Sequence, residues 1–150
     1  MKIEYQDQFN MTIYLGFFNE DDIEESFKNL FLKLKKYYKI TPKGYYIINL
    51  YKDPYYGAII DLEKEDLEYS DYFGNQVDMK INTINHDFIY KLEDYFMIPK
   101  SILKKSILMT NKKDLYLKIN KPLNYKELAY LMENTKIIYK DIEHLQLIVI

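Results

Sequence analysis

The sequence predicts an α+β fold: a single domain with a largely antiparallel sheet of six to eight strands and two helices. Three observations lead there. One long segment repeats its apolar residues at a helical period, and several short segments alternate apolar with polar residues. The clearest pair of alternating segments is separated only by a tight turn, with no room for the crossover that parallel strands need. At 150 residues, 48% hydrophobic and 29% charged, the chain has enough apolar material to build a core.

In chain order, Met11 to Phe18 reads as a strand, with Ile13 and Leu15 on one face and Thr12 and Tyr14 on the other. A helix from about Glu20 to Lys39 follows, because Ile23, Phe27, Leu30, Phe31, Leu34 and Tyr38 fall on one stripe. Asn19 is placed to cap it. Glu20, Asp21, Asp22, Glu24 and Glu25 at its start, and Lys33, Lys35, Lys36 and Lys39 at its end, complement the helix dipole. Pro42 and Gly44 stop it.

Tyr45–Tyr51 and Tyr56–Glu63 then form a hairpin over Lys52-Asp53-Pro54-Tyr55. One hairpin face carries Tyr46, Ile48, Leu50, Ala58, Ile60 and Leu62, to be packed on the helix. The other carries Tyr45, Ile47, Asn49, Tyr51, Gly57, Ile59, Asp61 and Glu63. It is too apolar to be freely solvated, so another layer of the chain or a partner must cover it.

Residues Glu65 to Asn75 read as an acidic loop turning at Gly74-Asn75, and Gln76 to Ile84 alternates as a half-buried strand. Phe88 to Phe96 fits both periods, with the strand preferred. Pro99 opens a short helical turn, and Ser106–Thr110 with Leu115–Ile119 make a hairpin over Asn111–Asp114. Asn124 and Glu127 have the spacing of a capping box, which opens a helix over about 124–134 that buries Leu128, Leu131 and Met132. Lys136–Lys140 and Leu145–Ile150 are the last strands, and the apolar C-terminal Leu-Ile-Val-Ile is expected to dock in the sheet.

Composition bears on function chiefly by what it withholds. All 21 basic residues are lysine, and there is no cysteine or tryptophan, against 17 tyrosines. Richness in Tyr, Ile, Lys and Asn without Arg is the coding bias of an AT-rich bacterium. Without cysteine there is no thiolate nucleophile, and Ser26, Ser70, Ser101 and Ser106 lack a nucleophile-elbow context. The glycines at 16, 44, 57 and 74 build no phosphate-cradling loop. His86 and His144 read as surface or turn histidines, too few to close a zinc site. The expectation is a protein without catalytic residues, metal or cofactor. A net charge of −2 disfavours nucleic acid. No stretch approaches the roughly 20 apolar residues of a membrane span, so a cytoplasmic location and no membrane contact are expected. A homo-oligomer is compatible with these features.

Charge is unevenly placed. Asp61, Glu63, Glu65, Asp66, Glu68, Asp71 and Asp78 cluster around a single lysine, Lys64, whereas residues 100–121 hold seven lysines and one acid, Asp114. The expected contact surface for another protein is therefore the outer hairpin face, Tyr45, Ile47, Tyr51, Tyr55 and Ile59. The neighbouring Asp61, Glu63, Glu65, Asp66 and Glu68 would steer a partner with a basic surface. A small acidic α+β chain of this kind is similar in type to regulators and adaptors, and to toxin-neutralising immunity proteins. One enzymatic reading has a shape. Helix 20–39, strand 45–51, strand 56–63 with Asp61, and strand 76–83 with Asp78-Met79-Lys80 resemble the start of a restriction-enzyme-type nuclease core. That resemblance implies Mg²⁺ on Asp61 and Asp78, with Lys80 positioning water.

Overall fold

The computed structural model describes residues 2–7, 10–15, 23–39, 44–64, 77–93 and 98–150, with backbone only at 23, 24, 77 and 78. The fold is α+β. The chain divides into two compact units, Met1–Leu50 with Ala58–Thr83 and Tyr51–Gly57 with Ile84–Ile150.

The first unit holds strands β1 (Lys2–Tyr5), β2 (Asn10–Leu15), β3 (Gly44–Asp53), β4 (Gly57–Lys64) and β5 (Val77–Asn85), with helix α1 (Ile23–Tyr38). The tip of the β3–β4 hairpin, Tyr51–Gly57, and the last two residues of β5, Ile84 and Asn85, belong to the second unit. Sheet order is β1-β2-β4-β3-β5. Antiparallel pairing sets Ile3 opposite Ile13 and Ile13 opposite Ile60, so three isoleucines line up across the strands. Along β3, Tyr46, Ile48 and Leu50 are buried while Tyr45, Ile47, Asn49 and Tyr51 are half-buried, the two-residue period of a strand with one core face. That face joins Ala58, Ile60, Leu62 and Ile13 to Phe27, Leu30, Phe31 and Leu34 of α1 in one core. Gly57, at φ 122, closes the hairpin with a backbone that a Cβ would oppose.

The helical stripe is present with one departure. Tyr38, expected on the buried side, is 45% exposed, because it ends α1 and the chain leaves at Lys39 with φ 55. Asn19, Glu20, Asp21, Asp22, Pro42 and the loop 65–75 lie outside the described residues. β1 is a strand that the sequence did not predict.

The second unit holds β6 (Ile89–Leu92), β7 (Ser106–Thr110), β8 (Leu115–Ile119), β9 (Thr135–Ile138) and β10 (Ile148–Val149). Helices α2 (Lys100–Leu103) and α3 (Tyr125–Asn134) accompany them. The order is β10-β7-β8-β6-β9, antiparallel throughout. Phe88–Phe96 thus contributes a strand, although residues 94–97 lie outside the description. Among the described residues ten strands make two sheets of five, where the sequence predicted one sheet of six to eight. Alternation identifies strands but carries no signal for which strand neighbours which.

Local chemistry explains the connections. Asn111 Oδ1 accepts from the amides of Lys113 and Asp114 at 3.2 and 2.9 Å, which closes the β7–β8 turn. At α3, Glu127 N–H donates to Asn124 Oδ1 and Asn124 N–H to Glu127 Oε1, both at 2.9 Å. This is the capping box that the spacing of Asn and Glu predicts. The buried Glu127 also receives Lys105 Nζ at 2.6 Å. Burial pushes the Glu127 carboxyl up, but the Asn124 amide, Lys105 and the Ser101 hydroxyl together hold it below its ordinary value. β10 does dock, Ile148 opposite Thr110 and Val149 opposite Met109, yet its side chains stay more than half exposed.

Five of the described tyrosines, Tyr46, Tyr56, Tyr90, Tyr116 and Tyr139, are buried. Tyr56 sits 5.7 Å from Phe88 and 6.4 Å from Tyr90, and Tyr139 stands 6.3 Å from Phe88 and 5.1 Å from Tyr51, ring centre to ring centre. Tyr90 is fully buried and its hydroxyl makes no hydrogen bond. Burial, reinforced by the Asp53 carboxylate, pushes its phenol well above the ordinary value. An unmade hydrogen bond at a buried hydroxyl works against the fold. Tyr90→Phe is therefore expected to stabilise the protein by about 1 kcal/mol in urea denaturation. A loss of stability would show that the hydroxyl has a partner after all.

Candidate functional site

The site is organised by the hairpin tip. Asp53 is buried, and its carboxylate accepts three backbone amides. Tyr55 and Tyr56 donate to Oδ1 at 2.8 Å each, and Phe88 donates to Oδ2 at 2.7 Å. The first two form an Asx-type turn; the third reaches 35 residues along the chain. Lys52 C=O accepts from His86 N–H at 3.1 Å. The tip therefore grips the segment 86–88 at both ends. Burial pushes the Asp53 carboxyl above its ordinary value, opposed by the three amides.

Held in this way, His86 and Asp87 border a groove of about 460 Å³ that also takes in Ile89, Lys118, Asp141, Ile142 and Glu143. Ile89 comes from β6 and Lys118 from the adjacent β8. The other wall is a single 3₁₀ turn, Ile142–His144, entered through Asp141 at φ 58 and closed by His144 N–H on Asp141 C=O at 3.3 Å. Lys118 Nζ lies 3.3 Å from Asp87 Oδ2. Asp87, Asp141 and Glu143 thus line the groove together with one ammonium, Lys118, which pairs with Asp87, and with the aliphatic side chains of Ile89 and Ile142. His86 Nδ1 lies 3.1 Å from Asp87 C=O; a carbonyl only accepts, so Nδ1 carries the hydrogen. The His86 ring packs edge-on to Tyr51 and Phe88, at 6.1 and 5.7 Å.

On the groove's 3₁₀ turn, ligand atoms of Asp141, Glu143 and His144 all lie within 4.8 Å of one another, but the three residues are exposed and share one short turn. Exposed groups on one turn do not enclose an ion, and no metal is assigned to them.

The residues proposed from sequence are distributed otherwise. Tyr45 and Ile47 lie half-buried on the outer face of β3 in the first unit, whereas Tyr51 and Tyr55 are half-buried in the second. Ile59 is fully buried, so it does not belong to an exposed contact face. Its two neighbours Ala58 and Ile60 are buried as well, a continuous apolar run of the kind found where both faces of a strand are covered. Asp61 is half-buried and accepts from Thr12 Oγ1 at 2.9 Å across the β2–β4 pair. Glu63 is exposed. Glu65, Asp66 and Glu68 lie outside the described residues.

For the nuclease resemblance, β3 stands between β4, which carries Asp61, and β5, which carries Asp78 and Lys80. Two strand spacings separate these backbones by about 10 Å, and the Asp78 side chain lies outside the description. The groove residues were missed as a set, since they come from three separate stretches of chain. No protein-family model matches the chain, and no curated protein or solved structure matches it.

Proposed function

We propose that the protein is a non-catalytic protein–protein interaction module, a regulator or adaptor, whose groove in the second unit receives a basic side chain of its partner. One observation carries this reading: the groove is lined by three acidic residues, Asp87, Asp141 and Glu143, against one lysine, Lys118, which pairs with Asp87, and by the aliphatic Ile89 and Ile142. Lysine and arginine have the matching division, an apolar stem below a cationic head. The volume lies within the range of sites that enclose a small ligand or an inserted side chain. Unlike charge at the rim draws the partner in and fixes its register. A second contact belongs to the same proposal: Tyr45, Ile47, Tyr51 and Tyr55 of the hairpin, with Asp61, Glu63, Glu65, Asp66 and Glu68 as steering charge. A toxin-neutralising role would differ only in the identity of the partner.

The test uses a fluorescein-labelled octalysine peptide, followed by anisotropy. The full chain is expected to bind it, and the exposed double variant Asp141→Lys/Glu143→Lys to bind at least about tenfold more weakly. Equal binding by that variant sinks the groove. If Tyr45→Ala/Tyr55→Ala abolishes binding while the groove variant does not, the contact lies on the hairpin.

A further inference from the structure

The outward face of α1 has a composition opposite to that of the groove. From Ser26 to Lys39 there is no acid, and Lys28, Lys33, Lys35, Lys36 and Lys39 are all exposed. Among the described residues these five form no ion pair, whereas Lys2, Lys91, Lys105 and Lys118 each have a carboxylate partner. The helix dipole accounts for lysine in the last turn, Lys35 and Lys36. It does not account for Lys28, nor for large apolar side chains among the cations: Leu32 is 64% exposed and Tyr37 67%. Lys36 Nζ already lies over the Tyr37 ring, 5.3 Å from its centre.

Spacing along this face is specific. Lys28, Leu32 and Lys36 follow one another at four-residue intervals, so they stack on one side of the helix, about 6 Å apart along its axis. An extended peptide projects alternate side chains to one side at intervals of about 6.6 Å. We propose that the outward face of α1 is a docking surface for an extended acidic segment of another protein with the pattern Glu-x-Leu-x-Glu. Its two carboxylates meet Lys28 and Lys36, and its leucine covers Leu32. Lys35 and Lys39 add attraction at the same end. A nucleic-acid strand fits less well, because its charge repeats at every step and would fall on Leu32, where an aliphatic side chain offers no stacking surface. An anionic membrane would find the lysines but only one central aliphatic residue to insert. The surface is independent of the groove, being built from different residues in the other unit.

The probe is a labelled peptide with Glu-Thr-Leu-Thr-Glu at its centre, titrated against the full ¹⁵N-labelled protein. Amide shifts are expected to concentrate in residues 28–39. Affinity should fall about tenfold in Lys28→Glu/Lys36→Glu, and at least about threefold when serine replaces the peptide leucine. Asp141→Lys/Glu143→Lys should leave this binding unchanged, which separates the surface from the groove. Leu32→Ser, checked for unchanged circular dichroism, should lose the preference for the leucine peptide. The proposal is overturned by equal binding to the lysine-reversed variant, by shifts centred elsewhere, or by tighter binding of oligo-dT or phosphatidylserine vesicles than of the peptide.

Discussion

Asp53→Ala is expected to destabilise the protein by about 3–5 kcal/mol, read from urea midpoints, because two buried amides and one half-buried amide lose the carboxylate that accepts from them. Asp53→Asn separates charge from geometry. Its carboxamide oxygen can still take Tyr55 and Tyr56, but the amide nitrogen would point a donor at the Phe88 donor, for a loss of about 1–3 kcal/mol. The pH dependence has a definite sign. An acid whose folded pKa is raised holds its proton more tightly in the native state than in the unfolded chain. Its contribution is therefore greatest below the ordinary value of 3.8 and declines as pH rises through the raised value. Glu127, held below its ordinary value, contributes in the opposite sense, with stability lost as pH falls. The asparagine variant should lack the Asp53 part of this profile. A variant as stable as the parent, with the same pH profile, would mean that the carboxylate does not hold the tip.

Phe27→Ala should have an effect of similar size in the other unit, about 3–5 kcal/mol, since the ring is fully buried against the sheet and its removal leaves a cavity. Lys28→Ala, one position along and facing water, should change stability by no more than about 0.5 kcal/mol. Calorimetry of the pair tests the orientation of α1 directly. Comparable losses at both positions would mean that the helix is rotated from the arrangement described. The loss at Phe27 is a large part of the roughly 5–15 kcal/mol that holds a typical domain.

These two residues also show what was legible in the sequence. Phe27 belongs to a stripe with a helical period, and Tyr46, Ile48 and Leu50 to a strand with a period of two. The short-range pattern therefore reports burial directly. The capping box at Asn124 and the Asn111 turn are equally local. Asp53 could be read as a turn residue before Pro54, but its third hydrogen bond crosses 35 residues and leaves no local trace. Ile59 was assigned to the outer face by alternation alone, which cannot tell a solvated face from a covered one. The groove draws on residues 86–89, 118 and 141–143, ordinary polar and aliphatic positions in each stretch taken alone. Only the pairing of β6 with β8 and β9 brings them together.

The hairpin β3–β4 has a consequence for how the chain can be divided. Its body lies in one unit while its tip, Tyr51–Gly57, lies in the other, so neither unit is a continuous stretch of sequence. No single cut in the polypeptide separates them intact. Severing the chain after Thr83 would strip the C-terminal fragment of the acceptor for Phe88 and of the Tyr56 ring beside it. A single fusion junction therefore cannot carry one unit away whole.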